Sequence, residues 1–193
     1  MPITTDDVKK LRDATGVSIM QCKQALEEAV GDFDKALLIL SKKSASIAAK
    51  KGDRTLGAGT VQAYIHAGTV GALVSLMSET DFVAKNEEFV ALARDLAMQV
   101  AASAPQYATR EEIPMDKMND IKEMFAKDVV GKPENLKEQI LAGKVDAYLA
   151  SLVLMEQPYI KDDSKKVRDL VEAATQKFGE RIAVGQIARF SVR

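Results

Sequence analysis

Side chains able to do covalent chemistry are scarce in this sequence. His66 is the one histidine and Cys22 the one cysteine among 193 residues. A general base needs a nucleophile or carboxylate in a matching motif, and none accompanies His66, which reads as a surface or packing residue near a strand end. Cys22 reads as a small buried hydrophobe. No Cys/His pairs stand at metal-ligand spacing. The run Gly52-Asp-Arg-Thr-Leu-Gly57 opens like a phosphate loop but continues Ala58-Gly59, where Lys and Ser/Thr are needed to reach phosphates and magnesium. These patterns predict no catalytic residue, no metal and no cofactor. What remains is the chemistry of recognition, in the stretch SETDFVAKN, Ser78 to Asn86. There Phe82, a large ring, stands among Asp81, Lys85 and Asn86. It either staples back onto the helix that follows or stands out to enter another molecule.

The flanking elements position that ring. Upstream, TVGALVSLM reads as a buried strand. Downstream, Phe89, Leu92, Ala93, Leu96, Ala97 and Val100 recur at helical spacing, with Asn86 as cap and Glu87 and Glu88 in the first turn. For Asp81 the spacing allows a turn or helix cap that would hold Phe82 outward. TVQAYIHAG and TVGALVSLM, joined at Ala67-Gly68, predict an antiparallel hairpin, and RIAVGQIARFSV adds a third strand. Helical patterns follow at about 115–128, 134–142 and 144–155. Asp163 or Ser164 is expected to cap a last helix that ends before Gly179. Tyr159 is expected to anchor its loop to the sheet.

The first forty residues predict three short helices. Thr4-x-x-Asp7 has the form of a capping box ahead of Val8, Leu11 and Ala14. Ser18 precedes Cys22, Ala25, Leu26 and Ala29, and Asp32 precedes Ala36, Leu37 and Leu40. Met20 at this spacing reads more readily as a core residue than as a contact. The basic run from Lys42 to Arg54 reads as a solvated, partly helical linker rather than a nucleic-acid patch, because no aromatic residue interleaves it. The expected fold is α+β: a helical head (1–41), a basic linker (42–56) and a core of three antiparallel strands covered by helices (57–193).

Composition narrows the function classes. A formal net charge of −1 gives no general attraction to nucleic acid, and 5% aromatic residues with no tryptophan argue against a stacking platform. No apolar run approaches a membrane span of about 18–20 residues. The start lacks the apolar region of a secretory signal, and a lone cysteine suits a reducing compartment. A cytoplasmic setting is expected.

Four segments carry a resemblance: LRDATGVSIMQCKQAL, GDFDKALLIL, ETDFVAKNEEF and LMEQPYIKDD, in that order along the chain. Together they resemble the bacterial elongation factor Ts family. The resemblance implies a translation factor and not an enzyme: a guanine-nucleotide exchange factor for elongation factor Tu, the GTPase that brings aminoacyl-tRNA to the ribosome. It implies that the head resembles a ubiquitin-associated domain and packs on the GTPase, with Arg12, Ile19, Met20 and Lys23 at contact positions. It further implies that Thr80, Asp81, Phe82 and Val83 intrude beside the partner's magnesium and phosphate site. Ile19 stands where methionine is common, and Gln21 where aspartate is common. The chain has the look of the short family form with one core module, which implies a homodimer. No cysteine stands in GQIARFSVR, and Gly185-Gln186 replaces basic residues common there, so the expected dimer is non-covalent.

Overall fold

Thr4 and Asp7 set the first helix as their spacing requires. The Thr4 hydroxyl accepts the Asp7 N–H, and the Asp7 carboxylate accepts the Thr4 N–H at 3.0 Å, in a computed structural model that describes residues 3–127 and 133–192. Helix α1 (Thr5–Thr15) stops at Gly16, whose φ of 66° suits a residue without a Cβ. Helix α2 (Ile19–Glu28) is capped by Ser18, and α3 (Phe33–Lys50) by Asp32. The third helix therefore runs through most of the basic stretch. Two strands follow, β1 (Ala58–His66) and β2 (Val70–Ser78). Ala67 and Gly68 between them have φ of 48° and 69°, as the tight turns that join twisted strands demand. A single helical turn, α4 (Asp81–Ala84), leads into α5 (Glu87–Ser103).

Beyond these come α6 (Met115–Ala126), α7 (Glu134–Leu152), a hairpin of β3 (Pro158–Tyr159) and β4 (Asp162–Lys166), α8 (Val167–Phe178) and β5 (Ala183–Ser191). The main sheet is three-stranded and antiparallel, in the order β1-β2-β5, so the fold is the expected α+β with a covering of helices.

Several local expectations are corrected. Residues 134–142 and 144–155 are not two helices: α7 is continuous through Gly143 and ends at Leu152, with a 3-10 turn over Leu154–Glu156. A mid-helix glycine costs about 1 kcal/mol against alanine. Here Val145 and Leu149, buried with Ile113 and Ile121, offset it. Asp163 and Ser164 do not cap α8. Both lie in β4, paired antiparallel with β3, and α8 begins at Val167, whose N–H donates to the Gln157 carbonyl at 3.0 Å. Tyr159 anchors to a helix and not to the sheet, its hydroxyl donating to Asp95 of α5 at 2.7 Å. Ala14 is exposed rather than part of the α1 apolar face. The expected end of a helix at residue 128 lies outside the described residues, as do the first two residues of the head and the last of the core.

The chain divides into two compact units, residues 1–61, 75–93 and 168–184 in one, and 62–74, 94–167 and 185–193 in the other. In the first, Val8, Leu11, Cys22, Ala25, Leu26, Ala36 and Leu40 form a core among α1, α2 and α3. Beyond it, Ser44 of α3 donates to Gln176 of α8, and Lys51 donates to the Gly179 carbonyl. Phe89 and Phe178 meet edge to face at 6.1 Å. In the second unit, buried Gln99 organises the loop after α7. Its amide nitrogen donates to Gln157 and to the Pro158 carbonyl, and its oxygen accepts the Ile160 N–H at 2.8 Å. Satisfying a buried amide this fully is what makes it tolerable in a core.

Candidate protein-interaction site

In the segment Ser78–Lys85 every residue but Phe82 is hydrogen-bonded through its side chain, ion-paired or buried. Ser78 is fully buried at the end of β2, and its hydroxyl donates to the Thr80 carbonyl at 2.9 Å. The Glu79 carboxylate receives Arg54 at 3.2 Å on both oxygens and also accepts the Arg181 N–H. Arg181 in turn donates its guanidinium to the Arg54 carbonyl. The Arg181 N–H first, and Arg54 second, hold the Glu79 carboxyl below its ordinary range. Thr80 has extended backbone and caps α4, its hydroxyl accepting the Val83 N–H.

Capping thus falls to Thr80, not to Asp81. Asp81 occupies the first position of the turn and pairs with Lys85 at 2.7 Å, four residues on. Lys85 lowers its carboxyl by hydrogen bond and charge. Both side chains are exposed, so solvent screens the pair and it contributes little to stability. Val83 and Ala84 turn inward and are buried, whereas Phe82 is 82% exposed. A staple onto α5 would have buried the ring, so that reading fails. Asn86 does cap α5, accepting the Glu88 N–H at 2.9 Å.

Helices α1 and α2 present a second set. Arg12, Ile19 and Lys23 line one shallow depression with Ile3, Val8 and Asp13. Met20 is 71% exposed, so it is not a core residue, and it stands outside that lining. Cys22, on the opposite side of α2, is fully buried, and that burial raises its thiol pKa. The eight residues singled out by the resemblance therefore fall into two sets, Arg12, Ile19, Met20 and Lys23 on α1 and α2, and Thr80–Val83 on the turn. Arg54, Glu79, Glu180 and Arg181 were not anticipated. They come from three separate parts of the chain and share no spacing, so only the fold brings them together.

The basic stretch is largely engaged within its own unit. Lys43 pairs with Glu28 at 2.9 Å, Lys51 with the Gly179 carbonyl and Arg54 with Glu79. His66 is exposed beside Tyr64. Among the described residues no group of His, Cys, Asp and Glu could hold a metal, and no helix is long and apolar enough to cross a membrane.

A capped turn that displays an aromatic ring, and a helical face that carries an apolar depression, have the composition that protein–protein contacts draw on. Comparison with known proteins gives the class a family. Residues 13–193 match the family model for elongation factor Ts. The chain is 45% identical over 193 residues to elongation factor Ts of Thermodesulfovibrio yellowstonii and 46% identical to that of Thermotoga petrophila, covering all of this chain and 97% of each relative. Elongation factor Ts of Herpetosiphon aurantiacus is 43% identical over 195 residues, with 98% of that protein covered. The chain belongs to the elongation factor Ts family. It is a translation elongation factor.

Proposed function

We propose that this protein is a guanine-nucleotide exchange factor for elongation factor Tu, and that it works by inserting Asp81 and Phe82 beside the GTPase's magnesium and phosphate site. The observation that carries the reading is the exposure of Phe82, 82%, on a turn whose neighbours are capped, paired or buried. A ring left in water on a fixed support has free energy available for a partner: burying it fully contributes about 1.5–3 kcal/mol. If its pocket opens only when two partner helices separate, that energy favours the opened state alone. The opened state holds magnesium weakly, the nucleotide phosphates lose their counter-charge, and GDP leaves. The coupling is reciprocal, so GDP weakens binding of this protein by the same factor by which this protein weakens GDP. No covalent step and no cofactor is required.

In this reading residues 1–41 are a ubiquitin-associated-like head that docks through Arg12, Ile19, Met20 and Lys23. Residues 42–56 link it to a core of residues 57–193 that carries the Thr80–Val83 wedge and a non-covalent homodimer contact. An exposed apolar depression lined by Ile65, Phe190 and Val192 supports such a contact. The setting is the cytoplasm, and neither nucleic acid nor membrane is a direct partner. The test is release of a fluorescent GDP analogue from elongation factor Tu in excess magnesium. Wild type should speed release and Phe82→Ala should be much slower while still binding. Unchanged release with wild type, despite association, would overturn the proposal and favour the head as a simple adaptor.

A further inference from the structure

We infer that Glu180 is a positioning residue for nucleotide exchange, acting through Thr80 to fix the turn that displays Phe82. The inference rests on the wedge reading above. Glu180 lies 100 residues from Thr80 in sequence, yet its two carboxylate oxygens receive both donors of that residue. The Thr80 N–H donates to one oxygen at 3.0 Å, and the Thr80 hydroxyl donates to the other at 2.6 Å. Two donors of one residue on two oxygens of one carboxylate fix direction as well as distance, and bonds to an ionised acceptor are the stronger kind.

The hydroxyl bond also orders the cap. A threonine hydroxyl has one proton to give. By giving it to Glu180, Thr80 turns a lone pair toward the Val83 N–H, which it accepts at 3.5 Å. Every polar atom of Thr80 is then engaged, because its carbonyl accepts from Ser78 and from the Ala84 N–H at 3.2 Å. Glu180 is itself held: Gly179 before it has φ of 70° and receives Lys51 on its carbonyl, and Arg181 after it bonds Glu79. The end of α8 is therefore a clasp on the residue that begins α4. A clasped turn spares the partner the cost of ordering it, and the gain shows in the step where Phe82 is inserted.

The experiment compares wild type, Phe82→Ala, Glu180→Ala, Glu180→Gln, Thr80→Val and the double variant Glu180→Ala/Thr80→Val. For each, the maximal rate of GDP-analogue release from elongation factor Tu and the half-saturating concentration are measured, with a thermal melt to verify folding. Glu180→Ala should lower the maximal rate about fivefold to tenfold with less than about a twofold change in half-saturation, because the head contacts are intact. Glu180→Gln, which keeps an acceptor for the Thr80 N–H, should fall between. The losses should not multiply: the double variant should lie within about twofold of the worse single one. In free protein, hydrogen exchange of the Val83 and Ala84 amides should quicken in Glu180→Ala. The inference is overturned if Glu180→Ala keeps the wild-type maximal rate, or if the two losses multiply. Failure of the wedge reading shows separately, as Phe82→Ala releasing GDP as fast as wild type.

Discussion

Phe82 and Val83 are neighbours on one helical turn, and their exposures are 82% and 4%. The turn sorts them: Val83 packs into its unit, and Phe82 is left to solvent. The two substitutions should therefore separate function from stability. Phe82→Ala should leave the melting curve within about 0.5 kcal/mol of wild type while reducing exchange by on the order of 2 kcal/mol, roughly thirtyfold in rate. Val83→Ala should lower stability by about 1–3 kcal/mol, in the range of buried apolar truncations. Chemical denaturation beside the release assay checks both.

The Glu79 carboxyl carries a pH signature. Its folded pKa is depressed below the ordinary value of 4.5, by the Arg181 N–H and then by Arg54. A depressed carboxyl contributes its stability in full above the unfolded pKa and loses it as pH falls through the folded one. The contribution should thus be flat from about pH 6 to 8 and disappear only in acid, below about pH 4.5. Glu79→Gln should flatten that acid limb of the stability curve relative to wild type, as read by denaturation midpoints between pH 3 and 7. Wild type and variant should differ by a constant amount at neutral pH.

Cys22 should be chemically silent. It is fully buried, and burial pushes its thiol above the ordinary value. Since the thiolate is the reactive form, an aromatic disulfide reagent at pH 8 should label the native protein far more slowly than the denatured one. Its labelling rate should follow opening of the core among α1, α2 and α3.

Tyr159 tests the second unit on its own. Its hydroxyl donates to Asp95, and burial together with that carboxylate raises the phenol pKa. Tyr159→Phe leaves Asp95 with Lys161 at 2.6 Å, so the loss should be about 1.5–3 kcal/mol of stability at most. Exchange activity per folded molecule should not change.

Much of the architecture was legible because it rests on local chemistry. Thr4, Ser18 and Asp32 are caps because each side chain meets a backbone N–H three residues on. Ala67-Gly68 makes the hairpin because the turn needs positive φ there. Local preference misled where long-range packing outweighed it. Gly143 looked like a break, but the apolar residues on either side hold α7 together. Asp163 and Ser164 have the letters of caps, but they lie inside β4, whose end residues Asp162 and Lys166 pair with β3.

By itself, then, the sequence determined the strand-turn-helix carrying Thr80 to Val83, the α+β class and the family, since short-range patterns and a run of matched residues encode them. Whether Phe82 faced inward or outward depended on the tertiary structure alone. A staple and a wedge have the same letters, and the choice was made by contacts from outside the segment: Arg54 and Arg181 on Glu79, and Glu180 on Thr80. Those partners come from parts of the chain 25 to 102 residues away. No periodicity links residues so separated, and only folding sets them within hydrogen-bond reach.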